Sequence, residues 1–257
     1  MQETRVRRQW AAGRPALNGW LVTPAPLNAE VIAHQDLCSV TIDMQHGLIG
    51  YADAVAMLTA TKGLDLTRIV RVPSLDAAII GKALDAGADG VICPLINTAE
   101  EAARLVAACR YPPEGRRSFG PFRAGLLHGD GYFDRSRGHS LALAMIETAE
   151  ALANLDAIAA TPGLDALFVG PADLSIGLGH APGFDRAEDD VVEAIGRIAR
   201  AAADNGLGAG IYTTGPDYGR RMAAAGYNLI TVVTDASLLA AGAGAARAAL
   251  ADLVDGG

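Results

Sequence analysis

Eight short apolar runs alternate strictly with eight Ala-rich segments of helical period, and together they predict an α/β TIM (β/α)8 barrel in 257 residues. Three observations carry the prediction. Strict alternation calls for a parallel sheet with right-handed crossovers. The length suits eight repeating units. Glycines follow helical segments in "DAGADG", "DNGLGA" and "AAGYN", where a left-handed residue ends a helix at little cost. The alternative is a doubly wound open sheet, but its first-turn GxGxxG is absent.

In chain order, the strands fall in "LNGWLVT" (17–23), "SVTIDM" (39–44), "TRIVRV" (67–72), "GVICPL" (90–95), "LALAMIE" (141–147), "ALFVGP" (166–171), "GLGAGIYTT" (206–214) and "NLITVVT" (228–234). Each is a short apolar run bounded by turn residues. Helical periodicity places the intervening segments at 28–35, 51–61, 74–87, 98–110, 148–161, 187–206, 215–226 and 235–253. One domain spanning 1–257 is expected. Residues 1–16 form a leader lying against the fold, and 111–140 form a long connection without structure of its own. Connections that long are often functional. On barrel topology this one begins on the face opposite the active site, and its Arg116, Arg117 and Arg123 are either a solvated face or a contribution to a neighbouring subunit.

A formal charge of −8 argues against nucleic acid as a partner, because binding a polyanion needs a Lys/Arg footprint. No apolar run reaches the roughly 18–20 residues of a membrane span. The basic N-terminus lacks the apolar core of a signal peptide. Cys38, Cys93 and Cys109 are odd in number, lie in apolar contexts and form no CxxC pair. They read as reduced core residues of a cytoplasmic protein.

Barrel chemistry sits at the C-terminal ends of strands. Strand two ends with Asp43, Gln45 and His46, strand three with Arg71, strand five with Glu147, and strand six with "VGPADLS", which holds Asp173. Each has a structural alternative. Asp173 could cap a helix, His46 could be hydrogen-bonded within the fold, and Arg71 could pair with a nearby acid. Glu147 is harder to explain that way, since it closes the apolar run "LALAMI", where an unpaired carboxylate is costly to desolvate. Two carboxylates on neighbouring strands suit a hard dication such as Mg²⁺ or Mn²⁺. The amides of "GPADLS" would hold an anion if a helical turn starts there. Lys62 and Lys82 are the only lysines and neither falls at a strand end, which argues against a Schiff-base mechanism. The ends of strands seven and eight lack paired glycines, so an unphosphorylated substrate is expected.

"TIDMQHG", "VRVP", "GADGVICPLINTAEEAARLVAACRYPPEGRRSFGP", "IETAEALANLDAIAATPGLD" and "FVGPADLSIGLG" together resemble the class II pyruvate aldolases of the HpcH/HpaI family, from about Trp20 to about Asp235. The resemblance implies a carbon–carbon lyase that cleaves 4-hydroxy-2-oxo acids to pyruvate, or hydroxypyruvate, and an aldehyde. It implies dependence on a divalent cation (Mg²⁺, Mn²⁺ or Co²⁺) held by Glu147 and Asp173. Arg71 matches the arginine that faces the keto oxygen, and His46 and Asp43 match a base and the acid that orients it. Gly170, Pro171, Ala172 and Asp173 match the segment that receives the substrate carboxylate. A homo-oligomer is implied, a hexamer built as a trimer of dimers with the last helix exchanged. Two departures bear on aldehyde preference: many relatives carry Glu at Gln45 and Gln at Met145. The competing readings are a lyase acting on a coenzyme A thioester and a non-catalytic barrel that binds organic acids.

Overall fold

The computed structural model describes residues 3–255. Its eight strands close into one parallel barrel in sequence order: β1 (Ala16–Leu21), β2 (Ser39–Asp43), β3 (Thr67–Arg71), β4 (Gly90–Cys93), β5 (Leu141–Ile146), β6 (Ala166–Val169), β7 (Gly208–Tyr212) and β8 (Leu229–Thr234). Each overlaps its expected run. β1 pairs with both β2 and β8, which closes the ring. The helices packed outside include α2 (Pro26–Ala33), α3 (Tyr51–Ala60), α4 (Ala77–Asp85) and α5 (Ala99–Cys109). Side-chain caps start several of them. Asp76 accepts from the Ala78 N–H and Thr98 from the Glu101 N–H, satisfying first-turn donors that have no intrahelical partner.

Side chains alternate across each strand, so every second residue enters the lumen. In β5, Leu141, Leu143 and Met145 join the lumen cluster, whereas Ala142, Ala144 and Ile146 pack outward under the helices. In β3, Ile69 is inward and Val70 outward. A buried polar layer crosses the lumen, where Asn18 donates to Thr231 Oγ1 (3.0 Å) and accepts from Ser39 (2.8 Å) and Thr41 (3.1 Å). Continuing the same parity to the upper rim brings Trp20, Asp43, Arg71, Glu147 and Tyr212 inward.

The leader carries α1 (Arg5–Ala11); residues 1 and 2 lie outside the described residues. Val6 joins the lumen cluster and its N–H donates to Thr67 Oγ1 (3.0 Å). The Trp10 indole donates to the Asn228 carbonyl (2.8 Å). Its ring occupies the place where a Cβ on Gly208 would lie 2.5 Å from it, so β7 begins with glycine to seat that ring. The leader thus covers the N-terminal mouth.

The connection over 111–140 departs from expectation, because it contains α6 (Phe122–His128) and α7 (Tyr132–Ser136). Its arginines are not a common solvated face. Arg117 is buried, pairs with Asp85 (2.6 Å), donates to the Tyr132 hydroxyl (3.3 Å) and lies over the Tyr111 ring (4.6 Å). Arg123 donates to the carbonyls of Ala86 and Leu58. Only Arg116 of the three is exposed. The expected helix over 148–161 is broken into α8 (Ala149–Ala153) and α9 (Leu155–Ala159) at Asn154, whose amide turns away to the Asn97 carbonyl (2.8 Å). The next units carry α10 (Pro171–Gly177), α11 (Asp189–Asp204) and α12 (Pro216–Ala224). The last expected helix divides into α13 (Asp235–Ala248) and α14 (Ala251–Asp255).

All three cysteines are buried and unpaired. Burial pushes the Cys93 and Cys109 thiols up, Cys109 to about 12, so both are inert packing residues. Among the described residues no helix is long and apolar enough to cross a membrane.

Candidate active site

A cavity of about 210 Å³ opens at the C-terminal rim and is lined by His46, Arg71, Asp43, Met145, the Gly170–Asp173 segment and the rings of Trp20, Phe168, Phe184 and Tyr212. Its Asp43–Arg71 ion pair follows from strand register. Asp43 and Arg71 end β2 and β3 directly opposite each other. Arg71 Nε donates to Asp43 Oδ1 (2.8 Å) and Nη2 to Oδ2 (2.5 Å), a two-point pair that fixes the guanidinium plane. The face of that plane stacks on Trp20, 4.9 Å from the ring centroid. No hydrogen bond among the described residues engages Arg71 Nη1.

Asp43 does not orient His46 as expected. Besides Arg71, its carboxylate accepts from the backbone N–H groups of Gln45 (3.0 Å) and His46 (3.3 Å) and from the Trp20 indole (3.2 Å). All these bonds go to main chain or to other side chains, and none to the imidazole. Burial alone would raise the Asp43 carboxyl, but the hydrogen bond and charge of Arg71, with the two amides, hold it below the ordinary carboxylate range. Asp43 therefore positions Arg71 and the backbone that carries His46. The His46 side chain stands exposed at the cavity wall.

Glu147 is the next inward position after Met145 and is only 1% exposed. Leu95, in the left-handed region at φ 54°, turns its N–H onto Glu147 Oε1 (2.9 Å). Oε2 is buried with no hydrogen-bond partner. Gly170 makes room for it, because a Cβ there would fall on Glu147 Oε2 and 2.9 Å from Met145 Cε. Desolvation pushes the Glu147 carboxyl up to about 7, and the charge of Asp173 adds to the rise against the Leu95 amide and Arg71. Asp173 sits exposed in the first turn of α10, which starts at Pro171 with Gly170 as its N-cap.

Among the described residues no three His, Cys, Asp or Glu side chains form a ready cation cage. Glu147 and Asp173 fit a cation as a pair, on the strength of the orphaned Oε2 and of the Asp173 charge that raises the proton affinity of Glu147. A hard dication takes one or two protein carboxylates and leaves its other positions to water and substrate. The Gln45 Oε1 is also buried without a partner, and Met145 presents an apolar surface to the cavity.

Asp43, His46, Arg71 and the Gly170–Asp173 segment thus line one cavity, with Glu147 buried against Gly170, but the aromatic half of its wall was missed. Trp20 and Tyr212 were discoverable by the inward parity of β1 and β7. Phe184 lies in the connection after α10 and carries no such signal.

Residues 19–241 match the family described as HpcH/HpaI aldolase/citrate lyase. The chain belongs to this family. It is 43% identical over 248 residues to a hydroxypyruvate/pyruvate aldolase of Rhizorhabdus wittichii, covering 96% of this chain and 98% of that one. It is 34% identical to a 4-hydroxy-2-oxovalerate aldolase of Rhodococcus jostii, covering 91% of each. A solved HpcH/HpaI aldolase/citrate lyase family protein from Burkholderia cenocepacia superposes with a TM-score of 0.89 at 32% identity, over 98% of this chain and 99% of that one. This HpcH/HpaI family member is accordingly a carbon–carbon lyase of the aldolase type.

The Glu147 shift has a consequence for stability. A carboxyl whose folded pKa lies above its ordinary 4.5 binds its proton more tightly when folded. Its contribution is full below 4.5 and is lost as pH rises through about 7. In chelator-treated protein, Glu147→Gln should match wild type near the low end of that window. Above the upper end it should be more stable by about 3 kcal/mol. Denaturant unfolding of both proteins across the window measures the difference; parallel curves would place Glu147 in a solvated environment.

Proposed function

We propose that the protein is a class II aldolase that reversibly cleaves 4-hydroxy-2-oxo acids to pyruvate or hydroxypyruvate and an aldehyde. The observation that carries this reading is Glu147, a desolvated carboxylate with an orphaned oxygen near Asp173, buried against Gly170 of the cavity that holds Arg71. Glu147 and Asp173 are the ligands for Mg²⁺, Mn²⁺ or Co²⁺, which when bound supplies Lewis-acid polarisation of a keto oxygen.

The chain's own groups do the rest. Arg71 Nη1 donates to the keto oxygen, where negative charge accumulates as the C3–C4 bond breaks. The amides of Ala172 and Asp173, at the start of α10, orient the substrate carboxylate. His46 takes the proton from the C4 hydroxyl, the C3–C4 electron pair passes into the enolate and the aldehyde leaves. The protonated His46 returns its proton to C3, which gives the 2-oxo acid and restores the base. The similarity to a hydroxypyruvate/pyruvate aldolase and a 4-hydroxy-2-oxovalerate aldolase supports this substrate class. A coenzyme A thioester is less well served, because Arg117 and Arg123, candidates to hold a nucleotide tail, are committed within the fold.

Assembly as a homo-oligomer, a hexamer of three dimers, is part of this reading. α13 leaves Leu238 and Leu239 46% and 60% exposed, an apolar surface suited to another copy of the chain. A cytoplasmic location is also part of this reading, and the three buried, unpaired cysteines support it.

Retro-aldol assays on a panel of 4-hydroxy-2-oxo acids should show activity that EDTA abolishes and Mn²⁺ or Mg²⁺ restores. Full turnover in chelator would remove the cation from the mechanism. Asp43→Asn should lower kcat/KM by about 10²-fold through loss of Arg71 positioning, without moving the limb of the pH profile that belongs to His46. A shifted limb would return Asp43 to the role of imidazole partner. Sedimentation should give a mass several times 26.4 kDa, whereas a monomer would discard the oligomeric reading.

A further inference from the structure

The cavity has two chemically distinct sides, one polar and one lined by rings. A train of rings runs along it from the ion pair to the mouth. Arg71 stacks on Trp20, Trp20 meets Tyr212 edge-on at 5.4 Å between centroids, and Tyr212 meets Phe184 at 5.2 Å. Phe168 adds a ring 5.7 Å from Trp20. The Tyr212 hydroxyl is bonded to Thr234 Oγ1 (2.7 Å), so this residue offers the cavity its ring. Phe184 is 51% exposed and marks the outer end of the train.

Phe184 is held there by its neighbour. Asp185 adopts a left-handed conformation at φ 51°, and its carboxylate accepts from the Thr214 N–H (3.2 Å) and the Thr214 hydroxyl (2.5 Å). This latch ties the connection after α10 to the turn after β7 and presses Phe184 against Tyr212. Among the residues lining the cavity Arg71 is the only Lys or Arg, and two of its nitrogens are spent on Asp43. An aldehyde bearing a carboxylate would find no second Lys or Arg on the lining to pair with.

We propose that the wall of Trp20, Tyr212 and Phe184, with Asp185 as its positioning residue, selects aldehydes whose substituent is uncharged and apolar, aryl or branched alkyl. The inference rests on the aldolase reading and names the second substrate of that same site. The 2-oxo acid occupies the polar end beside Arg71, and the aldehyde substituent lies along the rings toward the mouth.

The test is carbon–carbon bond formation with pyruvate and hydroxypyruvate as nucleophiles, comparing kcat/KM for benzaldehyde with that for glyoxylate. Wild type should favour benzaldehyde, and Phe184→Ala should lower that preference by about tenfold. Asp185→Ala should lower it in the same direction, and the double variant should lose no more than Phe184→Ala alone. Phe184→Arg, at an exposed position that tolerates a long side chain, should shift preference toward glyoxylate. Thermal midpoints check that each variant is folded. A wild type that favours glyoxylate, or a preference unmoved in both Phe184 variants, would overturn the inference. Exchange of pyruvate C3 protons in D₂O without aldehyde tests the underlying reading separately. Its absence from wild type would overturn the aldolase assignment itself, whereas exchange with an unmoved preference would overturn the aldehyde selection alone.

Discussion

The two-point pair between Asp43 and Arg71 is the constraint on which the site depends. Both groups are almost fully buried, and a lone buried charge would be strongly destabilising. Each therefore has to find the other, and the parallel register of β2 and β3 makes that contact unavoidable. Trp20 closes the arrangement by accepting the guanidinium on its face and donating its indole N–H to the carboxylate. A cation fixed in this way cannot swing to follow a ligand. It is already oriented before substrate arrives, which lowers the reorganisation needed when charge develops nearby.

Glu147 is the opposite case, a buried acid without a full complement of partners. The left-handed Leu95 gives it one amide, and Gly170 gives it space, but one oxygen remains unsatisfied. An unmet acceptor in the interior costs about 1–3 kcal/mol. Such a cost, set at the end of a strand whose other inward residues are apolar, is characteristic of sites where stability yields to chemistry. The two rim features are complementary: one side of the cavity is internally satisfied and rigid, the other awaits an outside partner.

Much of this was readable in the residues, for identifiable reasons. Strand and helix alternation fixed the barrel, and the period of two within each strand carried polar residues to the same rim. What escaped has equally specific causes. The role of Asp43 depended on whether its side chain turns toward the next residues in sequence or toward the adjacent strand, which spacing does not distinguish. Asn154 breaks a helix because of a bond to Asn97, distant in sequence. The arginines of 111–140 read as either a solvated face or a contribution to a neighbouring subunit, because the partners of Arg117 and Arg123, Asp85 and the Ala86 and Leu58 carbonyls, lie on other units. Phe184 enters the cavity from a connection with no periodicity, fastened by the Asp185–Thr214 contact.

The seating of Trp10 has a bearing on biosynthesis. Its ring rests against Gly208 and its indole bonds to Asn228, so the socket is built from the last strands to be made. During translation Val6 can meet Thr67 early, yet the Trp10 socket is incomplete until residue 228 has left the ribosome. The same late segment supplies β8, the stave that closes the cylinder against β1. The floor and the final seam are therefore completed together, and a nascent chain cut short before that point has neither.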